Sequence, residues 1–288
     1  SAIVTARAAS ILLAEQRDAH ALCTARAPDG RLHSPKLPAP KLPQFVVPTT
    51  PTTASVKAGS AVLDPATHGR LALFDPKTRA QAVFVHPQML ATAPRPLTLG
   101  AGLHTLVMAV EGLLSPTGDA ISDALLVHAV RMMAASLPAL AGDETGADRA
   151  SLAMAALMCG HATDFTGAGI ALPLGHAISA SSDVDNGVVN AILAPHVLRF
   201  NAEAAPAGVA KLALALQVSS QAGADALVAA LDGVVARTGV PRRLRDVGVD
   251  RAALPQLAEV AMDDWFIKGN PRPVRDAAQL RGVLEAAW

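Results

Sequence analysis

Cysteine is almost absent. Cys23 and Cys159 are the only two in 288 residues. They are too few for a disulfide framework and lack metal-ligand spacing, so a reducing cytoplasm is the expected compartment. Tyrosine is missing altogether, and charged residues make up only 17% of the chain. The 24 basic and 24 acidic side chains cancel to a formal net charge of zero, which argues against nucleic acid or an anionic membrane surface as main partner. No uninterrupted apolar run reaches about 18 residues, so no membrane-spanning helix is expected. The first residues show no charged-then-apolar leader pattern, and no repeat of fixed period is present. What remains is a chain that is 51% hydrophobic, able to bury a sizeable core and too apolar for disorder. Its length suits one large domain or two modest ones.

Ile3, Ala6, Ala9, Leu12 and Leu13 recur at helical spacing, which predicts a helix over 2–23 with Arg7, Glu15 and Arg17 off the apolar stripe. Pro28, Pro35, Pro38, Pro40 and Pro43 make 24–43 a linker without a helix or central strand. Short strands are expected at 44–47, 61–63, 71–74 and 82–85. Beyond about residue 97 the sequence turns to long Ala/Leu/Val/Met segments, predicting helices near 101–114, 119–136, 146–162, 167–180, 187–198, 207–217, 221–238, 252–263 and 274–286. Asp119 and Thr145 suit N-caps; Pro138 and Pro195 suit stops or kinks. The expected architecture is a partial α/β unit over 1–96 followed by an all-α helical domain over 97–288.

Several segments, in order, resemble the iron-containing alcohol dehydrogenases, above all their maleylacetate reductase branch. They are VVPTT at 46–50, GLHTLVMAVEGL at 102–113, LPLGHAISASSDVDNGVVNAILAPHVLRFN at 172–201 and NPRPV at 270–274. The resemblance implies a Rossmann-like nucleotide-binding domain beside a helical domain, with cofactor and a small polar substrate in the cleft between them.

The resemblance also places the functional positions. The family holds its divalent metal with one Asp and three His, and those positions here are His104, Met108, Leu172 and Asn186. Leu172 has no lone pair, the Met108 thioether is a soft ligand, and an amide binds such metals weakly. His104 alone falls short of the three protein ligands that a catalytic site needs. No iron or zinc is therefore expected, and Met108, Leu172 and Asn186 become candidate substrate-lining residues. The family's glycine-rich phosphate turn would fall just upstream of Ser1, so NAD(P) binding is expected only if an upstream segment supplies it. The family's second threonine-rich loop becomes residues 48–56, which keep Thr49, Thr50, Thr53 and Ser55 but neither glycine.

His176 matches the family histidine that faces nicotinamide and substrate, and it is a candidate acid/base. His104 either fills the vacated metal space and hydrogen-bonds Asn186, or pairs with His176 as acid and base. Glu111 and Asn190 are read as holding helix ends and contacts, and Met132, Met133, Met154 and Met158 as core. Cys159 is read as an inert buried thiol; His20, His33, His68, His86, His128 and His196 are read as surface or satisfied histidines. Ser1 carries an alternative: if the chain is processed there, its α-amine could act as base for its own hydroxyl in a self-processed amide or ester hydrolase. A second chain carrying the first Rossmann strands would then be its partner, in a homo- or hetero-oligomer. A catalytically inactive subunit of such a two-chain complex is the third reading.

Overall fold

A computed structural model describes the chain apart from residues 1, 28–31, 65, 67, 68, 143, 144 and 220. The chain divides into two compact units, Ser1–Pro48 with Thr53–Phe84, and Thr49–Thr52 with Val85–Trp288.

The first unit begins with α1 (Ala2–Glu15), shorter than its sequence pattern suggests. Gln16 adopts a positive φ of 49° and ends the helix, and a short 3₁₀ turn at His20–Leu22 follows. The buried face also differs. Arg7 is fully buried, donating to the carbonyls of Gly59 (2.7 Å) and Ala54 (2.6 Å), while Leu13 is exposed. A guanidinium can be buried when carbonyl oxygens replace its water, and here they do. The proline-rich stretch holds a minimal antiparallel pair, β1 (Ala25–Arg26) and β2 (Leu32–His33). β3 (Gln44–Val46) pairs in parallel with β6 (Ala80–Val83), the one trace of a Rossmann-like arrangement among the described strands. β4 (Gly59–Leu63) and β5 (Arg70–Phe74) form an antiparallel pair. His20 Nε2 lies 3.3 Å from Asp64 Oδ2, so this histidine has a carboxylate partner that its sequence context did not reveal.

The second unit is helical. A short α2 (Pro87–Leu90), not expected from the pattern, precedes α3 (Arg95–Leu114), α4 (Ala120–Ser136), α5 (Gly146–Thr166) and α6 (Ala171–Ser181). Then come α7 (Asn186–Asn201), α8 (Pro206–Leu216), α9 (Gly223–Ala236), α10 (Leu254–Met262) and α11 (Ala277–Ala287). Asp119 and Thr145 each close a capping box, satisfying orphan amides at the starts of α4 and α5. Pro138 does follow a helix end, but Pro195 lies inside α7, which continues to Asn201. One apolar core joins these helices, with Leu103, Leu106, Met133, Leu152 and Leu193 at its centre. Met133 is fully buried, whereas Met154 is exposed and does not pack as its spacing suggested.

Two segments, Arg95–Leu114 and Ala120–Ala141, are long and apolar enough to cross a membrane by length and composition alone, a test that uninterrupted runs had missed. The first is a core helix, with 78% of its window buried.

Candidate active site

The site residues sit on α3, α6 and α7 and just after α10. What brings α3 and α7 together is a pair of glycines. A Cβ on Gly187 would collide with the Gly100 carbonyl, and a Cβ on Gly100 would collide with the Asp185 carboxyl group. Asp185 in turn caps α7, accepting from the amides of Gly187 (2.9 Å) and Val188 (3.2 Å). His104 lies one turn along α3 from Gly100, and Asn186 and Asn190 lie one turn apart on α7, so the crossing sets the asparagines against the imidazole.

His104 Nδ1 is 2.9 Å from Asn190 Nδ2 and 3.4 Å from Asn186 Nδ2. The contact to Asn186 is one that the sequence reading had suggested. The shorter contact comes from Asn190, which is fully buried and which the sequence suggested only as a helix contact. Gly175 on α6 makes room for it, since a Cβ there would run into Asn190 Oδ1.

His176 lies on the same helix, one residue after that glycine. Its Nδ1 is 2.9 Å from Asp264 Oδ2, with the two side chains 21% and 18% exposed. Asp264 uses its other oxygen to cap the 3₁₀ turn Trp265–Gly269, accepting from the Phe266 amide at 3.0 Å. The carboxylate is therefore fixed at both oxygens. Phe266 also stands 6.3 Å from the His176 ring, tilted by 48°. Sequence reasoning missed Asp264. Its only local signal was an acidic residue at a helix end before a bulky turn, a pattern that reads as a cap.

Glu111, on α3, is buried and aims at the start of α6. Its Oε1 accepts from the Ala171 amide at 2.7 Å. Burial pushes its carboxyl up to about 7, against the pull of the backbone amides of Ala171, Gly169 and Leu172. This side chain holds the helix that carries His176, as its motif position suggested. A further tie is the reciprocal amide pair of Asn201 and Asn270, at 2.8 and 2.7 Å, which joins the end of α7 to the NPRPV segment.

The positions that would grip a metal do not fit one. Met108 is buried and its sulfur faces the Thr163 hydroxyl at 3.5 Å; Leu172 is buried in the core. The Nδ1 lone pair of His104 faces two amide donors. One imidazole, a thioether, an alkyl chain and an amide are not a donor set for iron or zinc. Among the described residues no group of three or more His, Cys, Asp or Glu could hold a metal ion.

The loop after β3 was the candidate cofactor contact. Thr49 and Thr50 are half-buried, and the Pro51 carbonyl accepts from Thr105 Oγ1 at 3.0 Å, pinning this stretch to α3. Thr53 and Ser55 are buried within the first unit, where Arg7 holds the Ala54 carbonyl. The loop is packed and carries side chains where a pyrophosphate would need bare backbone. This loop by itself offers no bare-backbone cradle for the pyrophosphate of a nicotinamide dinucleotide. Ser1 lies outside the described residues.

Residues 98–288 match the model of the Fe-containing alcohol dehydrogenase family, C-terminal. Lactaldehyde reductase of Escherichia coli is 31% identical over 259 residues, covering 86% of this chain and 66% of that enzyme. The chain thus spans just under two thirds of that relative. Among solved structures, an alcohol dehydrogenase from Oenococcus oeni superimposes with a TM-score of 0.90 at 22% identity, over 100% of this chain and 74% of that one. A maleylacetate reductase from Agrobacterium tumefaciens does so at 0.74 and 24%, over 85% and 67%. The fold, the ordered motifs and the match across the helical unit agree: the chain belongs to the Fe-containing alcohol dehydrogenase family.

Proposed function

We propose that the chain acts as a divergent oxidoreductase on a small polar oxo or carboxylate substrate, without a bound iron or zinc ion, and that His176 and His104 carry the proton chemistry. The observation that carries this reading is the His176–Asp264 pair, an imidazole oriented by a carboxylate that is itself fixed at both oxygens. When a carbonyl is reduced, negative charge develops on its oxygen, and a fixed N–H donor can stabilise that charge where the family uses a cation. The relatives' names, lactaldehyde reductase and maleylacetate reductase, support a small oxo substrate class. Reduction of an oxo group also needs a hydride donor, for which the loop over 48–56 offers no bare-backbone cradle. The reading therefore concerns the proton half of the reaction.

The test is reductase turnover with a panel of small hydroxyaldehydes and 2-oxo acids, supplied with reduced nicotinamide dinucleotide. Turnover should survive exhaustive chelation and fall about 10²- to 10⁴-fold in His176→Ala, the usual range for loss of an acid/base. Wild-type rates in both His176→Ala and His104→Ala, or activity that appears only with added iron or zinc, would remove the proposal.

A further inference from the structure

We propose that Asn190 and Asp264 are positioning residues that hold the two site histidines in opposite tautomers, making His104 a fixed hydrogen-bond donor and His176 the group that exchanges a proton. The inference rests on the functional reading above and assigns each imidazole its part in it.

The argument starts from what each partner can offer. An amide nitrogen donates and has no lone pair to accept with. Asn190 Nδ2 at 2.9 Å and Asn186 Nδ2 at 3.4 Å both address His104 Nδ1, so that nitrogen must present its lone pair. A neutral imidazole with a lone pair on Nδ1 carries its proton on Nε2. In this arrangement Asn190 Oδ1 and Asn186 Oδ1 both lie on the Gly175 side, buried and without a hydrogen-bond partner. His176 meets the reverse situation. A carboxylate oxygen accepts, so Asp264 Oδ2 at 2.9 Å requires a proton on His176 Nδ1. Neutral His176 then has its lone pair on Nε2.

The consequences differ in kind. With its Nδ1 lone pair turned to the two amides, His104 presents an N–H at Nε2. His176 presents its Nε2 lone pair while Nδ1–H stays on Asp264, which leaves Nε2 as the position where a proton can be exchanged with substrate. Roles that two metal-free imidazoles could have shared are thus separated by their neighbours on α7 and after α10.

The test reads the tautomers directly and needs no turnover. In the intact chain labelled with ¹⁵N-histidine, two-bond ¹H–¹⁵N correlations near neutral pH should show His104 as the Nε2–H tautomer and His176 with its proton on Nδ1. Asn190→Asp should move the His104 proton to Nδ1, and Asp264→Asn should release His176 into a mixture while lowering kcat more than KM changes. The same tautomer at both histidines in the wild type overturns the proposal, whether or not the variants fold. So does a His104 pattern unchanged in a folded Asn190→Asp protein. If the tautomers are opposed but His176→Ala turns over normally, the functional reading fails and the tautomer assignment stands.

Discussion

The two units of this chain are stabilised in opposite ways. The helical unit buries one continuous set of Leu, Val, Ala and Met side chains, with few charges inside. The first unit has a small apolar cluster built on Ala8, Ile11, Leu22, Leu37 and Leu73, and spends its interior on ions. Arg7 is buried against backbone carbonyls. The Lys41 ammonium is enclosed between Glu15 at 2.6 Å and Asp75 at 3.0 Å, and Asp75 also pairs with Lys77 at 3.1 Å. Burial alone would lower the Lys41 pKa; the hydrogen bonds that its ammonium donates to Glu15 and Asp75 outweigh it and raise it. Burial would likewise raise Asp75, but the Lys77 amide and the Lys41 and Lys77 ammonium groups bring it below the ordinary carboxylate value. Apolar burial is non-directional and tolerates drift. Enclosed ions fix geometry but leave a severe cost when one partner is lost.

The comparison is broken most severely at Lys41. Lys41→Met removes the ammonium group shared by the enclosed Glu15 and Asp75 carboxylates and should cost about 3–5 kcal/mol. Native-state hydrogen exchange should show α1 losing protection while α3 keeps it. Equal loss in both units would mean that they unfold as one.

Leu106→Ala should cost roughly 2–5 kcal/mol in the helical unit, because Leu106 is fully buried in the centre of its core. Both tryptophans, Trp265 and Trp288, belong to that unit, so their fluorescence in a urea titration reports on it alone. A midpoint shift well under the lower figure would mean that the core collapses into the cavity.

The gentlest test is pH. Glu111 titrates at about 7 in the folded chain against 4.5 for the free group. Between those values the folded form holds a proton that the unfolded form has released. The stability of the helical unit should therefore fall as pH rises through this window, by on the order of 3 kcal/mol. Glu111→Gln should flatten that slope. Asp75 has the opposite sign: its folded value lies below 3.8, so its contribution is present above that pH and is lost on acidification through the lower folded value. Acidification from pH 7 to 4.5 should thus strengthen the second unit, and stronger acid should weaken the first.

Much of the helical unit was legible because its periodic apolar faces, its Asp119 and Thr145 caps and its ordered motifs all point the same way. The first unit was read less well. Arg7 looked like a surface residue because carbonyl partners 47 and 52 positions away leave no local mark. At the candidate site, His104, His176 and Asn186 were singled out by their motif positions. Asp264 was missed because its partner is 88 residues distant and its local pattern is that of a cap.

By itself, the sequence determined the helical periodicity, the family motifs and the chemical identity of the side chains at the motif positions. A leucine has no lone pair wherever it is placed, so the chemistry available at Leu172 was legible without coordinates. Only the tertiary structure decided which atoms meet. Whether an imidazole donates or accepts is set by the neighbour at each ring nitrogen, and the glycine-to-glycine crossing of α3 and α7 supplied that neighbour for His104. The turn after α10 supplied it for His176.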